Sequence, residues 1–167
     1  MTAPSPVDLR GRTARVVTAS TRAASGVYPD RGGALIVATL REWGMDVPDP
    51  MVVPDGPQVA EALAQALAED VDLVLTTGGT GLTPTDGTPE ATRPLLTREV
   101  PGIAEAIRLR GIQAGVPTAA LSRGLAGLAG RTLIVNLPGS TGGVRDGLAV
   151  LAALLPHALS QAAGGDH

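Results

Sequence analysis

The chain has 167 residues and a formal net charge of −3, from 16 acidic and 13 basic side chains, and every basic residue is arginine. That balance excludes the basic face of a nucleic-acid-binding domain, and the absence of cysteine excludes disulfides and thiolate metal centres. Hydrophobic residues make up 44% and aromatic ones 1%, so a single domain of this size must build its core from Val, Leu, Ile and Ala.

Residues 1–12 carry Pro, Thr and Asp but no apolar run. They read as a flexible N-terminal arm rather than a secretory signal. Nothing approaches the ~20 uninterrupted apolar residues of a membrane span, so a soluble, cytoplasmic protein is expected. Thr13 to Ser20 predicts a first strand, followed by a polar loop from Thr21 to Asp30. Residues 32–44 predict a helix with Leu35, Ile36, Leu40 and Trp43 on one face. A second strand over 47–53 is confined by Pro48 and Pro50 to an edge or to its last residues.

Residues 58–69 predict an amphipathic helix and 71–76 a third strand. A helix capped by Thr88 with Pro89 in its first turn runs on to a break at Pro101-Gly102, and helix resumes over 103–115. Residues 118–121 are expected as a short strand and 131–137 as a strong one. The final helix, from Gly142 to about Ala162, contains Pro156 as an expected kink. Alternating strands and helices predict one three-layer α/β/α domain over 13–163, with a mostly parallel sheet and a tail at 164–167.

The most telling stretch is Leu75-Thr76-Thr77-Gly78-Gly79-Thr80-Gly81-Leu82-Thr83-Pro84-Thr85-Asp86-Gly87-Thr88-Pro89-Glu90. It leaves a buried-looking strand through three glycines and several threonines before a helix start. Glycine lets backbone N–H groups approach an anion, and threonine adds hydroxyl donors. It is neither a P-loop, since no Gly-Lys-Ser/Thr follows, nor a dinucleotide fingerprint, since G-x-G-x-x-G is absent. In open parallel sheets ligands bind beyond the carboxyl ends of the strands. Here several strand ends are polar or glycine-rich at once: Ser20-Thr21-Arg22, Pro54-Asp55-Gly56, Thr77 to Gly81, and Pro138-Gly139-Ser140-Thr141.

Individual residues carry two readings. Asp55, with Gln58 three residues on, is either a helix N-cap in a capping box or a metal-holding carboxylate. Asp86 is either half of an Asp-Gly turn or the second such carboxylate. Together the two would hold Mg²⁺ and orient a polyphosphate. Ser140 either caps the last helix or marks an anion site at its N-terminus. Arg123 is either a phosphate clamp or a solvated side chain. Tyr28 and Asp30 either close the first loop or touch a ligand.

The segments Ala24 to Gly32, Val53-Pro54-Asp55, Leu75 to Thr92, Leu121-Ser122-Arg123 and Asn136 to Ser140 resemble the Mog/MoaB family of molybdenum-cofactor proteins. The resemblance runs in register from about residue 13 to 160. It implies an α/β/α fold, assembly as a homotrimer, and adenylylation of molybdopterin by ATP and Mg²⁺ ahead of a molybdenum insertase. It further implies that Asp55 and Asp86 are the acidic residues of adenylyl transfer. By the same likeness Thr77, Gly78, Gly79, Thr80, Gly81, Ser122, Pro138, Gly139 and Ser140 line the pocket. Arg123 is added to that set as a substrate contact, and Ser20, Ser25, Gly26, Tyr28 and Asp30 as a ligand loop. Where the family often reads Ser-Asp-Arg after the first strand, this chain reads Ser20-Thr21-Arg22. The alternatives are a non-catalytic, MoaB-like pterin binder and a small interaction module.

Overall fold

The computed structural model describes residues 6–166. Six strands form one sheet in the order β2-β1-β3-β6-β5-β4. β1 (Ala14–Ala19), β2 (Met51–Val53), β3 (Leu73–Thr77) and β6 (Thr132–Leu137) run parallel. β4 (Arg98–Glu99) and β5 (Ala126–Ala129) add an antiparallel end. The helices are α1 (Thr21–Ala24), α2 (Arg31–Glu42), α3 (Pro57–Ala68), α4 (Thr88–Thr92), α5 (Pro101–Gln113) and α6 (Thr141–Ala162).

The three central strands are buried on both faces, which is why they read as continuous apolar runs. Alternate side chains go to opposite sides of the sheet. Val16, Leu73, Leu75, Leu133, Val135 and Leu137 pack with Ile36 and Leu40 of α2, Ile103 and Ile107 of α5, and Leu151 and Leu155 of α6. Val17, Ala19, Val74 and Ile134 pack on the other side with Val59, Ala62, Leu63 and Ala66 of α3. The result is the expected three-layer α/β/α sandwich. Each aliphatic side chain fully removed from water contributes about 1.5–3 kcal/mol, so these two layers carry most of the stability.

Several expectations change. Residues 1–5 of the expected arm lie outside the described residues, and so does residue 167 of the tail. Leu9 is 3% exposed, and its N–H donates to the Trp43 carbonyl at 2.7 Å, so this part of the 1–12 segment is built into the domain. The helix expected from Pro89 to Pro101 stops at Thr92. Pro94 sits in a 3₁₀ turn, Arg93–Leu95, and the chain then extends into β4. Residues 117–121 form a second 3₁₀ turn rather than a strand. Pro156 lies inside α6 without ending it.

Two caps move as well. Pro57 takes the first position of α3, which shifts the N-cap from Asp55 to Gly56, whose φ of 124° suits glycine. Likewise Gly87, not Thr88, precedes α4. Both side chains are thereby released for other contacts.

Candidate functional site

The carboxyl ends of β1, β3 and β6 open onto two adjoining pockets. The larger, about 640 Å³, has Gly79, Thr80, Gly81 and Asp86 along one side and Pro138, Gly139, Ser140, Gly142 and Arg145 along another. The smaller, about 400 Å³, is bounded by Ser20, Tyr28, Asp30, Arg31, Thr77 and Gly78. Gly139 borders both. A Cβ placed on Gly139 would come within 3.3 Å of the Gly78 Cα, so two glycines form a low saddle between the pockets.

The glycine loop is held from below by hydrogen bonds that run from partly buried to fully buried. The Thr77 hydroxyl donates to the Pro138 carbonyl at 2.7 Å, and the Gly78 N–H to the Leu137 carbonyl at 3.3 Å. The Thr88 hydroxyl donates to the Gly78 carbonyl at 3.0 Å, and the Thr88 N–H to the Gly79 carbonyl at 3.0 Å. Thr92 donates to the Thr88 carbonyl, and Asn136 Nδ2 donates to the hydroxyls of both Thr92 and Thr76. Asn136 Oδ1 accepts the Leu125 N–H at 3.0 Å. Thr76, Thr92 and Asn136 are all buried, so this chain of bonds runs through low-dielectric interior and fixes the loop to β3, β6 and α4. Gly78 and Gly79 have φ of 89° and 68°, and an added Cβ would collide with the Ala19 carbonyl and the Thr88 hydroxyl respectively. Glycine is required at both.

The two candidate carboxylates flank this loop. Asp55 Oδ2 accepts from the N–H and the hydroxyl of Thr21, both at 3.2 Å. Its Oδ1 lies 3.4 Å from where a Gly79 Cβ would be. Asp86 Oδ2 accepts from the Thr83 N–H at 3.0 Å and the Thr83 hydroxyl at 2.8 Å, beside Gly81. Among the described residues no hydrogen bond reaches Oδ1 of either. Asp86 lines the larger pocket, while Asp55 stands behind Gly79 and lines neither.

No group of three or more His, Asp or Glu side chains gathers to hold a metal among the described residues. Asp55 and Asp86 do offer hard carboxylate oxygens, the donor type Mg²⁺ takes while keeping water and substrate phosphate in most of its positions.

Arg123 lies in neither pocket. Its Nε donates to the Gly81 carbonyl and its Nη2 to the Asp86 carbonyl, each at 2.9 Å. Its guanidinium also pairs with the Glu90 carboxylate. That pairing holds the Glu90 carboxyl below its ordinary value and raises the arginine, the side-chain hydrogen bond being the main cause in both. The clamp expected for a ligand phosphate is therefore engaged with protein.

Ser140 caps α6 by accepting the Gly143 N–H at 3.0 Å and also borders the larger pocket. Ser122 lines that pocket too. In the first loop, Ser20 accepts from the Ala23 N–H and bonds the Tyr28 hydroxyl at 3.2 Å. Asp30 caps α2 through the Gly33 N–H and accepts from the Thr18 hydroxyl. Ser25 and Gly26 lie outside both pockets.

Sequence reasoning missed the opposite wall of the larger pocket, made by Ile107, Gly111, Ala114, Val116, Ala119 and Leu121. It is an aliphatic face suited to a flat ring. The nearest signal was that α5 is apolar on more than one side, with Leu109 and Ile112 exposed. Arg108 and Arg145 were missed as well. Arg108 donates to the Ser122 and Gly124 carbonyls, whereas Arg145 is exposed at the mouth.

Residues 15–157 match the family model described as "Probable molybdopterin binding domain". A solved Mog protein of molybdopterin biosynthesis from Mycobacterium ulcerans superposes with a TM-score of 0.86 at 54% identity, covering 90% of this chain and 99% of that one. A molybdopterin adenylyltransferase from Helicobacter pylori strain J99 is 36% identical over 146 residues, 85% of this chain and 82% of that protein. A molybdenum cofactor biosynthesis bifunctional protein from Synechococcus elongatus is 41% identical over 160 residues, 95% of this chain but 50% of that protein. The chain thus spans about half the length of such bifunctional relatives. Its sequence, its sandwich and its glycine loop agree on one conclusion: the chain belongs to the molybdopterin-binding domain family of molybdenum-cofactor biosynthesis.

Proposed function

We propose that this protein is a molybdopterin adenylyltransferase, transferring AMP from ATP to molybdopterin. The observation that carries the reading is the placement of Asp55 and Asp86 on either side of one rigid glycine loop, each with an oxygen free. A terminal phosphate oxygen of molybdopterin attacks the α-phosphorus of ATP. The bond from that phosphorus to the bridging oxygen breaks, its electron pair leaves with pyrophosphate, and a new phosphoanhydride joins AMP to the pterin. The acceptor is already anionic, so alignment and charge neutralisation matter more than a strong base.

Asp55 and Asp86 are the residues that would hold Mg²⁺, which when bound neutralises polyphosphate charge. The remaining work belongs to the chain's own groups. Backbone N–H groups of the glycine loop beyond Gly78 and at the start of α6 would meet the substrate phosphates, with Ser140 bordering the same mouth. The aliphatic wall from Ile107 to Leu121 receives the pterin ring and excludes water from it. Thr77, Gly78 and Gly139 leave the low saddle over which a two-part product extends. Ser20, Tyr28 and Asp30 bound the far side.

From the family likeness we further propose a homotrimer, a cytoplasmic setting, and a molybdenum insertase that takes up the product. Among the described residues no helix is long and apolar enough to cross a membrane. A non-catalytic pterin binder is the second reading, favoured by Thr21, which supplies a hydroxyl rather than a carboxylate beside Asp55. The test is incubation of the purified protein with molybdopterin, ATP and Mg²⁺. Formation of adenylyl-molybdopterin supports the enzyme, and pterin binding without that product supports the binder.

A further inference from the structure

Arg123 makes an unusual set of contacts for a half-exposed arginine. Its backbone N–H donates to the Thr80 carbonyl at 2.8 Å, its Nε to the Gly81 carbonyl and its Nη2 to the Asp86 carbonyl, both at 2.9 Å. The last two acceptors are the first and last residues of the loop that carries Asp86. One planar guanidinium therefore closes that loop as a tie across its base. Within the loop the Asp86 N–H donates to the Thr83 carbonyl at 3.0 Å, and the Asp86 carboxylate accepts back from Thr83, so the loop is folded on itself and needs only its ends fixed. Glu90, in the first turn of α4, pairs with the guanidinium from the other side.

We propose that Arg123 and Glu90 are positioning residues for Asp86, the guanidinium joining the ends of the 81–86 loop and Glu90 holding that guanidinium flat against them. This rests on Asp86 being a metal-holding residue of the adenylyl-transfer site. The geometry of arginine is what suits it to the task. A lysine can pair with Glu90 but is a single point donor and cannot bridge two carbonyls in one plane. The Glu90 side of the pair is 62% exposed, so as an ion pair it adds little to global stability. Its effect falls on where Asp86 points. Partners that orient a metal-holding group typically change metal affinity or activity by ~10–100-fold.

The experiment compares the parent protein with Arg123→Lys and Glu90→Gln, using two readouts. Hydrogen–deuterium exchange of residues 81–86 reports the loop without any substrate. The Mg²⁺ concentration for half-maximal adenylyl transfer, measured beside kcat at saturating Mg²⁺, reports the site. Arg123→Lys is expected to speed exchange in the loop and to raise the half-saturating Mg²⁺ about 10-fold, with most of kcat recovered at high Mg²⁺. Glu90→Gln, which keeps an acceptor oxygen but loses the charge, is expected to do the same more weakly, about threefold and so below that scale, with a melting temperature at neutral pH lowered only slightly. If Arg123→Lys does not fold, Glu90→Gln carries the test alone. Parental loop exchange and parental Mg²⁺ dependence in a folded variant overturn the proposal. A parent protein that transfers no AMP refutes the proposed function instead, and the exchange readout still decides whether the tie exists.

Discussion

Asp55 and Asp86 stand on either side of the same glycine loop and are held by different means. The Asp55 carboxylate takes both of its hydrogen bonds from Thr21, 34 residues earlier on an exposed one-turn helix, and the Asp55 N–H donates back to the Thr21 hydroxyl at 3.2 Å. Asp86 sits in a loop whose ends are tied by Arg123, 37 residues further along the chain, and whose continuation is anchored through Thr88 and Thr92 to the buried amide of Asn136. The loop of Asp86 is thus braced by long-range, partly buried bonds, although its carboxylate accepts only from Thr83 within that loop, whereas the Asp55 carboxylate is tied directly across 34 residues by exposed bonds. On the proposed adenylyl-transfer reading, a carboxylate carried on a tied loop faces one held from the end of another strand.

The largest effect is expected from removing the two charges. Asp55→Asn and Asp86→Asn should each lower adenylyl transfer by about 10²- to 10³-fold, on the order of 3–4 kcal/mol. Far-UV circular dichroism should stay unchanged, because Asn retains an acceptor oxygen for Thr21 or Thr83. Calorimetry should show molybdopterin still binding to both.

The braced side can then be loosened from beneath. Asn136→Leu leaves the Leu125 N–H and two buried threonine hydroxyls short of a partner, and should destabilise the fold by about 2–3 kcal/mol in urea denaturation. Thr21→Val, the equivalent loss on the Asp55 side, should cost less than about 1 kcal/mol, since those groups turn to water.

A smaller effect is expected at the mouth they share. Ser140→Asp keeps an acceptable N-cap for α6 but places a charge beside the proposed phosphate position. It should weaken binding of molybdopterin or ATP by on the order of 1–2 kcal/mol in calorimetry. Ser140→Gly, which frees the same amides, should do much less.

The smallest effect concerns pH. Arg123 lowers the Glu90 carboxyl in the folded protein. A depressed carboxyl contributes stability that is present above its unfolded value and lost as pH falls through its folded value. The stability difference between the parent and Glu90→Gln should therefore be seen at neutral pH and vanish in acid below the ordinary glutamate range. Because the pair is exposed, the difference at neutral pH should be slight.

The same contrast explains what could be read from the sequence. The central strands announce themselves because Val, Leu and Ile occupy both faces, and the glycine loop because no other residue tolerates its backbone at Gly78 and Gly79. The change of Asp55 from cap to free carboxylate was also present, in Pro57, whose preference for the first helical position moves the cap to Gly56. Pro94 carried the end of α4 in the same way. The antiparallel end was not legible. β5 is Ala-Gly-Leu-Ala, β4 is Arg-Glu, and neither has the branched or aromatic content that marks a strand. Nor was the part played by Arg123, since its acceptors are backbone carbonyls about 40 residues away and leave no mark in residue type.

The most direct test of the central claim uses ATP labelled at the α-phosphate in one sample and at the γ-phosphate in another, each with molybdopterin and Mg²⁺. An adenylyltransferase moves α-label onto the pterin in step with pyrophosphate release, while γ-label leaves in pyrophosphate. Tight pterin binding with no α-label transferred, or γ-label found on the pterin, would contradict it.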